Sequence, residues 1–171
     1  MKRISFVFVS ILFACLSFAQ SQQMTIKNQA SDMVRALLKK DFTTFTKYMH
    51  PKVIEMAGGK EKLLKRMDTA NTIVTEFGAK ITKVVIGNPG KIVKFKNELQ
   101  TTLPETTEMQ TPLGKVTIET TLIAISTDEG KNWYFIDTSV YNINQIKKTL
   151  PDLSPELVIP PQKDPKFNTA N

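Results

Sequence analysis

The sequence predicts an α+β fold, with helices at the N-terminus packed on a curved antiparallel sheet. Two observations predict it. Apolar residues recur at helical spacing from Met24 to Phe77, and beyond Gly78 they alternate with a period of two. The strand-like segments then follow one another with only turns between them, which is typical of antiparallel pairing. Long curved strands with helices on one face can wrap into a cone that has a pocket at its wide end.

Two helices are predicted before the first proline break. The first covers residues 24–40, where one face is apolar and the other is polar. The second is short and begins after Asp41, a residue type that caps helix N-termini. We expect it to end at His50 and Pro51, because the residue before a proline is pushed away from the α region.

A longer helix is predicted after a short extended piece. Residues 53–56 are predicted to be extended, and Gly58 and Gly59 break that piece. The helix then covers residues 60–77, and Gly78 follows at the position where a left-handed residue closes a helix. The predicted buried stripe of this helix consists of Leu63, Leu64, Met67, Ala70, Val74 and Phe77.

The sheet is predicted from segments that alternate apolar and polar residues. The run 122–125 is apolar on both faces, which is typical of a central strand. Pro104 is expected to interrupt a strand, because proline donates no ladder hydrogen bond. The predicted strands are residues 80–86 and 92–103, the hairpin partners 106–111 and 115–126, and a last strand at 132–137.

The C-terminal part is predicted to be a helix followed by a tail. The helix covers residues 140–150. Residues 151–171 contain five prolines, and we expect them to be extended. The only apolar cluster of this tail, residues 157–159, is expected to pin it to the domain, with fraying after Gln162.

The first nineteen residues are predicted to be a secretory signal peptide. Lys2 and Arg3 precede an apolar run, which ends at residues 17–19 in the small-bulky-small pattern that signal peptidase accepts. The run is shorter than the ~20 apolar residues that a membrane span needs. We therefore expect a periplasmic or secreted chain with no transmembrane segment after cleavage and one domain over residues 20–150.

Cys15 allows an alternative interpretation of the same segment. Residues 12–15 loosely resemble a bacterial lipobox, in which the cysteine becomes the lipidated first residue and anchors the chain to a membrane. Cleavage after Ala19 instead removes the only cysteine, which excludes disulfides, thiol nucleophiles and thiolate metal sites. The formal net charge then falls from +7 to +5, because Lys2 and Arg3 leave with the signal.

The order of the predicted elements resembles the nuclear transport factor 2-like, or cystatin-like, superfamily. The resemblance covers about residues 24–139. It implies a cone-shaped domain that is often dimeric and that holds, in the isomerases, cyclases and dehydratases of the superfamily, an Asp or an Asp/His pair. The sequence is also similar to small exported proteins of Bacteroidetes-type bacteria, whose signals often end in Phe-Ala-Gln. The segments that carry the resemblance are KDFTTF at 40–45, YMHP at 48–51, GGK at 58–60 and DEGKNWYFID at 128–137.

His50 and Asp137 are the candidates for catalysis. His50 is the only histidine, and histidine is the usual general base near neutral pH. Its other interpretation is a residue that ends a helix beside Pro51. Asp137 would match the carboxylate that the resemblance implies inside the cone, where an apolar environment raises the pKa of an acid. The sequence at residues 137–139 is also typical of a strand-end turn.

Four residues are candidates for ligand binding. The aromatic side chains of Tyr48, Trp133 and Tyr134 could line a pocket or belong to the core, and Glu119 lies where its strand changes from polar to apolar. No cofactor and no metal site is expected, because one histidine without cysteine makes a poor zinc or copper site and no calcium-binding loop occurs. The basic residues of the third helix are interrupted by acidic ones, which does not favour nucleic acid as a partner.

Three functions stay open at this point. The poverty of catalytic residue types favours a non-catalytic exported domain that binds a small apolar ligand or a protein partner through the cone or the open sheet face. One alternative is a small lyase or isomerase that uses Asp137 or His50 in the cone. The other is an envelope-associated accessory module that acts as a homodimer.

Overall fold

The computed structural model of the chain describes the backbone of residues 3–141 and 143–168, and the side chains of these residues from Gln20 onward. It has the predicted α+β content, with helices in the N-terminal part and an antiparallel sheet of six strands among the described residues. Lys2 and the side chain of Cys15, on which the signal and lipid-anchor predictions depend, lie outside this description. Among the described residues, no helix combines the length and the apolar character needed to cross a membrane.

Most of the predicted helices are confirmed. The first begins earlier than predicted and runs through the predicted signal segment without a break. The Asp41 side chain caps the second helix, as predicted, by accepting a hydrogen bond from the Thr44 N–H at 3.0 Å. A 3-10 turn at Thr46–Tyr48 follows that helix. The helices are α1 (Arg3–Leu38), α2 (Phe42–Phe45), α3 (Pro51–Met56), α4 (Lys60–Glu76) and α5 (Ile143–Thr149).

The prediction that residues 53–56 are extended was wrong, because they belong to α3. Pro51 occupies the first turn of this helix, where its fixed φ is already helical and its missing N–H is not needed. The backbone of His50 is extended and its Nδ1 accepts a hydrogen bond from the Lys52 N–H at 3.2 Å. The His-Pro pair therefore begins a helix as well as ending the preceding turn.

The strands are joined in the order β1-β3-β4-β5, which confirms the central position of residues 122–125. The short strands β2 and β6 pair with the first residues of β3 and β4. The strands are β1 (Lys80–Ile86), β2 (Val93–Phe95), β3 (Glu98–Thr111), β4 (Gly114–Ser126), β5 (Tyr134–Asp137) and β6 (Lys166–Asn168).

The predicted single strand over residues 92–103 was wrong in two respects. A tight turn at Lys96, which has a φ of 50°, splits it into β2 and β3. Strand β3 also continues through Pro104. The Pro104 carbonyl accepts a hydrogen bond from the Gly87 N–H at 2.8 Å, so its nitrogen faces the same side, just beyond the last β1 pair. The regular pairing of β1 with β3 ends at this point, so the missing N–H of the proline is tolerated.

Both faces of the sheet are covered. We call the face that packs under α1 the helix face, and its buried core includes Ile26 of α1 and Leu122 and Phe135 of the sheet. We call the opposite face the tail face, because Ile123 and its neighbours pack there against α5 and the C-terminal segment. The core of the tail face consists of Val53, Ile123, Ile125, Ile136 and Ile146, with Leu150, Leu153, Leu157 and Ile159 packed against it.

The C-terminal segment is held at two places. Leu157 and Ile159 pack on the tail face, in agreement with the predicted pinning at 157–159. The expected fraying after Gln162 was wrong for the residues described, because β6 pairs with β4 and Lys163 donates to the Glu119 carboxylate at 2.6 Å. Asn142 of the predicted helix and residues 169–171 of the tail lie outside the described residues.

Candidate functional site

An apolar cavity of about 280 Å³ lies between the helix face and the helices above it. Met33 and Leu37 of α1 form one wall, Phe135 of β5 forms part of the floor, and Leu63 and Met67 of α4 form part of the roof. Apolar pockets that carry a few polar groups are the usual form of a small-molecule site. The cavity is therefore the first place to look for a ligand.

A second apolar cavity of about 290 Å³ adjoins the first toward β1. Leu37 and Met67 line both cavities, so α4 covers the two spaces together. Ala70 and Val74 of α4 line the second one. The prediction that the whole stripe is buried was wrong, because Leu63 is the buried residue of α4, whereas Ala70 is exposed above the cavities. Phe77 does not belong to it and is 75% exposed, because it lies past the last turn of α4 at the C-cap.

Two carboxyl groups reach the first cavity from neighbouring positions of the sheet. Glu105 of β3 pairs with Thr120 of β4, and Asp137 of β5 pairs with Leu122. Because Thr120 and Leu122 are two residues apart, all four side chains lie on the helix face. The Thr120 hydroxyl donates to the Asp137 carboxylate at 3.2 Å, and the Ser139 N–H donates to the same oxygen at 2.7 Å.

Glu105 is buried, with 8% of the residue exposed. This burial raises the pKa of its carboxyl group to about 7, and the nearby Asp137 charge adds to the rise, whereas a hydrogen bond with Thr107 opposes it. None of the ion pairs among the described side chains includes Glu105. Near neutral pH the group is thus divided between its acid form, which donates a hydrogen bond, and its carboxylate form, which accepts.

The structure separates the two predicted catalytic candidates. Asp137 lines the cavity, whereas His50 does not. The His50 ring packs edge-on against Tyr134, with ring centroids 6.3 Å apart, while its Nδ1 caps α3. Burial, assisted by the Lys52 charge, lowers the pKa of this imidazole to about 4, so it is neutral at physiological pH.

The predicted ligand-binding residues lie outside the cavity. Trp133 is in the core of the helix face, where its indole N–H donates to the Gly130 carbonyl at 3.0 Å, and Tyr48 packs beside that core. Tyr134 contacts His50. Glu119 lies on the tail face, where Lys163 and Lys166 hold the pKa of its carboxyl group down at about 2.

Glu105 is the site residue that the sequence interpretation missed. The signal was available, since Leu99, Thr101 and Leu103 alternate toward it and lie on the helix face. The assumption that Pro104 interrupts the strand ended this alternation one residue too early. A strand continued through Pro104 would have predicted a carboxyl group on the core side of a central strand.

The cavity offers two carboxyl groups and no larger ligand set. Across the described residues, no group of three or more His, Cys, Asp or Glu side chains lies close enough together to hold a metal ion. No known protein family matches the chain, and comparisons with curated proteins and with solved structures give no match. The functional argument therefore depends on the cavity and its two acids.

Proposed function

We propose that the chain is an exported binding protein that holds a small, largely apolar molecule in the cavity between α4 and the helix face. The observation that carries this proposal is the buried Glu105 carboxyl group, which opens into an apolar space beside Asp137. Titratable groups with strongly shifted pKa values in clefts are typical of functional sites. The pair would bind the polar end of the ligand, and the apolar walls would bind its body.

The energetic cost of Glu105 supports a functional rather than a structural role. A carboxyl group whose pKa is raised to about 7 lowers the free energy of unfolding by roughly 3 kcal/mol above that pH. A glutamine or a leucine at this position would avoid that cost. The group forms no ion pair within the described residues that would offset it.

The cavity is a better binding surface than the sheet face. The tail face carries Ile123, Ile125 and Ile136, but α5 and the C-terminal segment already pack on them. The two apolar cavities under α4 are open to a ligand. The resemblance to the nuclear transport factor 2-like superfamily supports a pocket at this place, and the predicted signal segment supports export.

Binding of the neutral fluorophore phenylnaphthylamine to the purified chain tests the proposal. We expect its emission to rise with a saturable dependence on protein concentration. Met67→Trp would fill the cavity and weaken binding by roughly tenfold or more. Ile73→Trp is the matched control, because it makes a similar change on the exposed side of the same helix and should leave the affinity unchanged.

Circular dichroism of both variants separates loss of binding from loss of folding. If the unaltered chain fails to bind phenylnaphthylamine and other neutral apolar probes, the proposed function is wrong. Equal binding by a folded Met67→Trp variant would contradict the assignment to this cavity.

A second function, a small lyase or isomerase, is favoured by one observation. Glu105 has a pKa of about 7 and lies beside Asp137, and general acid–base catalysis is most effective when the pKa is close to the working pH. In such an enzyme Glu105 would be the general acid or base, the role that the sequence analysis assigned to His50 as a candidate. Both Glu105→Gln and Asp137→Asn would abolish any turnover found in a substrate screen, whereas His50→Asn would leave it intact.

A further inference from the structure

We infer that the ligand of the cavity is a small apolar amine, whose ammonium group is held between the carboxyl groups of Glu105 and Asp137. The inference rests on the proposed function and specifies the chemical class of the ligand. It depends on the charges that line the cavity, on how the chain pairs its other strand carboxylates, and on the hydrogen-bonding capacity of the two acids.

The charged groups that line the cavity are of one sign. Glu105 and Asp137 carry the acidic groups, and Tyr141 is the other titratable residue on the wall. The residues that α1, α2, α3 and α4 contribute to this wall are apolar, and none of the described lining residues is basic. A ligand with a carboxylate would meet like charges in a space with little water to screen them. A cation would meet two charges of opposite sign.

Two other strand carboxylates are paired with lysines of the chain, and a third, Glu98, accepts a hydrogen bond from Gln100 Nε2 at 2.8 Å. Glu108 lies within ion-pair distance of Lys83 and Lys115, and Glu119 does so with Lys163 and Lys166. No described ion pair includes Glu105 or Asp137, although the chain has a formal net charge of +7. The cations of the protein are thus placed elsewhere, and the cavity acids are left for a cation that arrives with the ligand.

An organic ammonium suits these groups better than a metal ion does. It has three N–H donors, and the two carboxyl groups supply acceptor oxygens on one face of adjoining strands. Calcium and magnesium need about six or more oxygen ligands, and most of the remaining wall is hydrocarbon. An alkyl or aryl body attached to the ammonium would occupy that hydrocarbon space.

Amine binding should also release a proton. Glu105 has a pKa of about 7, so a cation beside it favours the carboxylate form. The groups facing Glu105 that can titrate are Asp137 and Tyr141, and an aliphatic ammonium keeps its charge over the same range. If the carboxylate form is the one that binds, the affinity for the amine rises by roughly tenfold from about pH 6 to about pH 8.

Three probes with the same skeleton and different end groups test the inference. We expect phenylbutylamine to bind at least roughly tenfold more tightly than phenylbutanol at neutral pH, with phenylbutyrate the weakest of the three. Calorimetry with the purified chain gives the affinities and, from buffers of different ionisation enthalpy, the proton released. If the alcohol or the acid binds as tightly as the amine, the inference is wrong.

Charge-neutral variants show which carboxyl groups cause the preference for the amine. The double variant Glu105→Gln and Asp137→Asn should lose the preference for the amine and keep the affinity for the alcohol. Glu119→Gln, a matched change on the tail face, should leave all three affinities unchanged. A preference for the amine that survives the double variant would overturn the assignment to these two acids.

The proposed binding function and the preference for an amine are contradicted by different results. Binding of phenylnaphthylamine without a preference for phenylbutylamine over phenylbutanol contradicts the amine inference and leaves the proposed binding function standing. Absence of binding by the neutral fluorophore and by all three probes contradicts both.

Discussion

On the tail face of the sheet, Ile123, Ile125 and Ile136 are each at most 2% exposed and pack against α5 and the C-terminal segment. On the helix face, the same strands β3, β4 and β5 present Glu105 and Asp137 to a cavity of about 280 Å³. Alternation along a strand makes this possible, because successive side chains point to opposite faces. The same strands thus form a closely packed layer on the tail face, which we call the filled layer, and a layer that contains a cavity on the helix face, which we call the open layer.

The two faces contribute differently to the stability of the chain. A filled apolar layer supplies most of the free energy of folding, whereas a cavity and a buried acid both reduce it. Part of the helix face is also filled, around Leu103 and Trp133, and the open part lies under α4. We expect substitutions on the two faces to behave differently, and four measurements test this difference.

The largest effect is expected from Ile123→Ala on the tail face. Ile123 is completely buried, so its truncation leaves a cavity and should lower the free energy of unfolding by about 4 kcal/mol. Met67→Ala on α4 is the control and should cost less than about 1 kcal/mol, because this side chain already borders empty space. Urea denaturation at neutral pH measures both. Equal losses would mean that the two layers are packed equally well.

The next effect has the opposite sign and depends on pH. The pKa of Glu105 is about 7 in the folded chain and 4.5 is its ordinary value, so the folded state binds more protons between these values. Its contribution to stability is therefore complete below about pH 4.5 and is lost as the pH rises to about 7. Glu105→Gln should raise the free energy of unfolding by roughly 3 kcal/mol at pH 8 and change it little at pH 4.

Glu119→Gln is the control for this experiment. Lysines lower the pKa of Glu119 to about 2, so its removal should destabilise the chain above the ordinary value and not stabilise it. Denaturation curves recorded from pH 4 to pH 8 distinguish the two directions. A Glu105→Gln variant that is less stable than the unaltered chain at pH 8 would contradict the view that this acid is a cost to folding.

The filled layer was more predictable from the sequence than the open one. The apolar run 122–125 predicts a central strand directly, because a strand that is buried on both faces has apolar residues at successive positions. The helical spacing of the apolar residues in α1 and α4 was as easy to recognise. The errors at residues 53–56 and at Pro104 both lie next to a proline. In both cases the chain places the proline where its missing N–H is not required.

Of the two acids in the candidate site, the sequence predicted Asp137 and not Glu105, and the reason is different. Asp137 was found because it ends an apolar strand, but its partner Glu105 is 32 positions away in the chain and meets it only through the register of β3, β4 and β5. His50 was a candidate by residue type alone, and its role depends on the backbone of α3. Residue type can thus suggest one member of a site, while strand register decides which side chains share a cavity.

Gln100 tests the attachment of the tail and has a smaller expected effect. It is completely buried on the tail face, where its Nε2 donates to the Asp152 carbonyl and its Oε1 accepts from the Ser154 N–H, both at 2.8 Å. Gln100→Ala leaves these buried groups without partners and should cost about 2 kcal/mol. Limited proteolysis should then cut the segment 151–165 faster.

Ligand affinity is the control for Gln100→Ala. Because Gln100 lies on the opposite side of the sheet from the cavity, binding of phenylnaphthylamine should not change in the folded variant. A loss of affinity equal to that of Met67→Trp would show that the two layers are not independent.

The smallest effect is expected from His50, which packs beside β5. Its effect on the pH dependence of stability has the opposite sign to that of Glu105. Burial lowers the pKa of His50 to about 4 from an ordinary value of 6.5, so the unfolded chain binds more protons between these values. Stability from this residue is therefore present above about pH 6.5 and is lost as the pH falls toward 4, by roughly 1 to 2 kcal/mol after allowance for its partial contact with water. His50→Asn keeps a helix-capping side chain and should remove this pH dependence of stability.

In the unaltered chain, the free energy of unfolding should show the sum of two opposite pH dependences. The Glu105→Gln variant should show the dependence that comes from His50, and the His50→Asn variant the one that comes from Glu105. If an NMR titration gives His50 a pKa near 6.5, the neutral, packed state assigned to it is wrong.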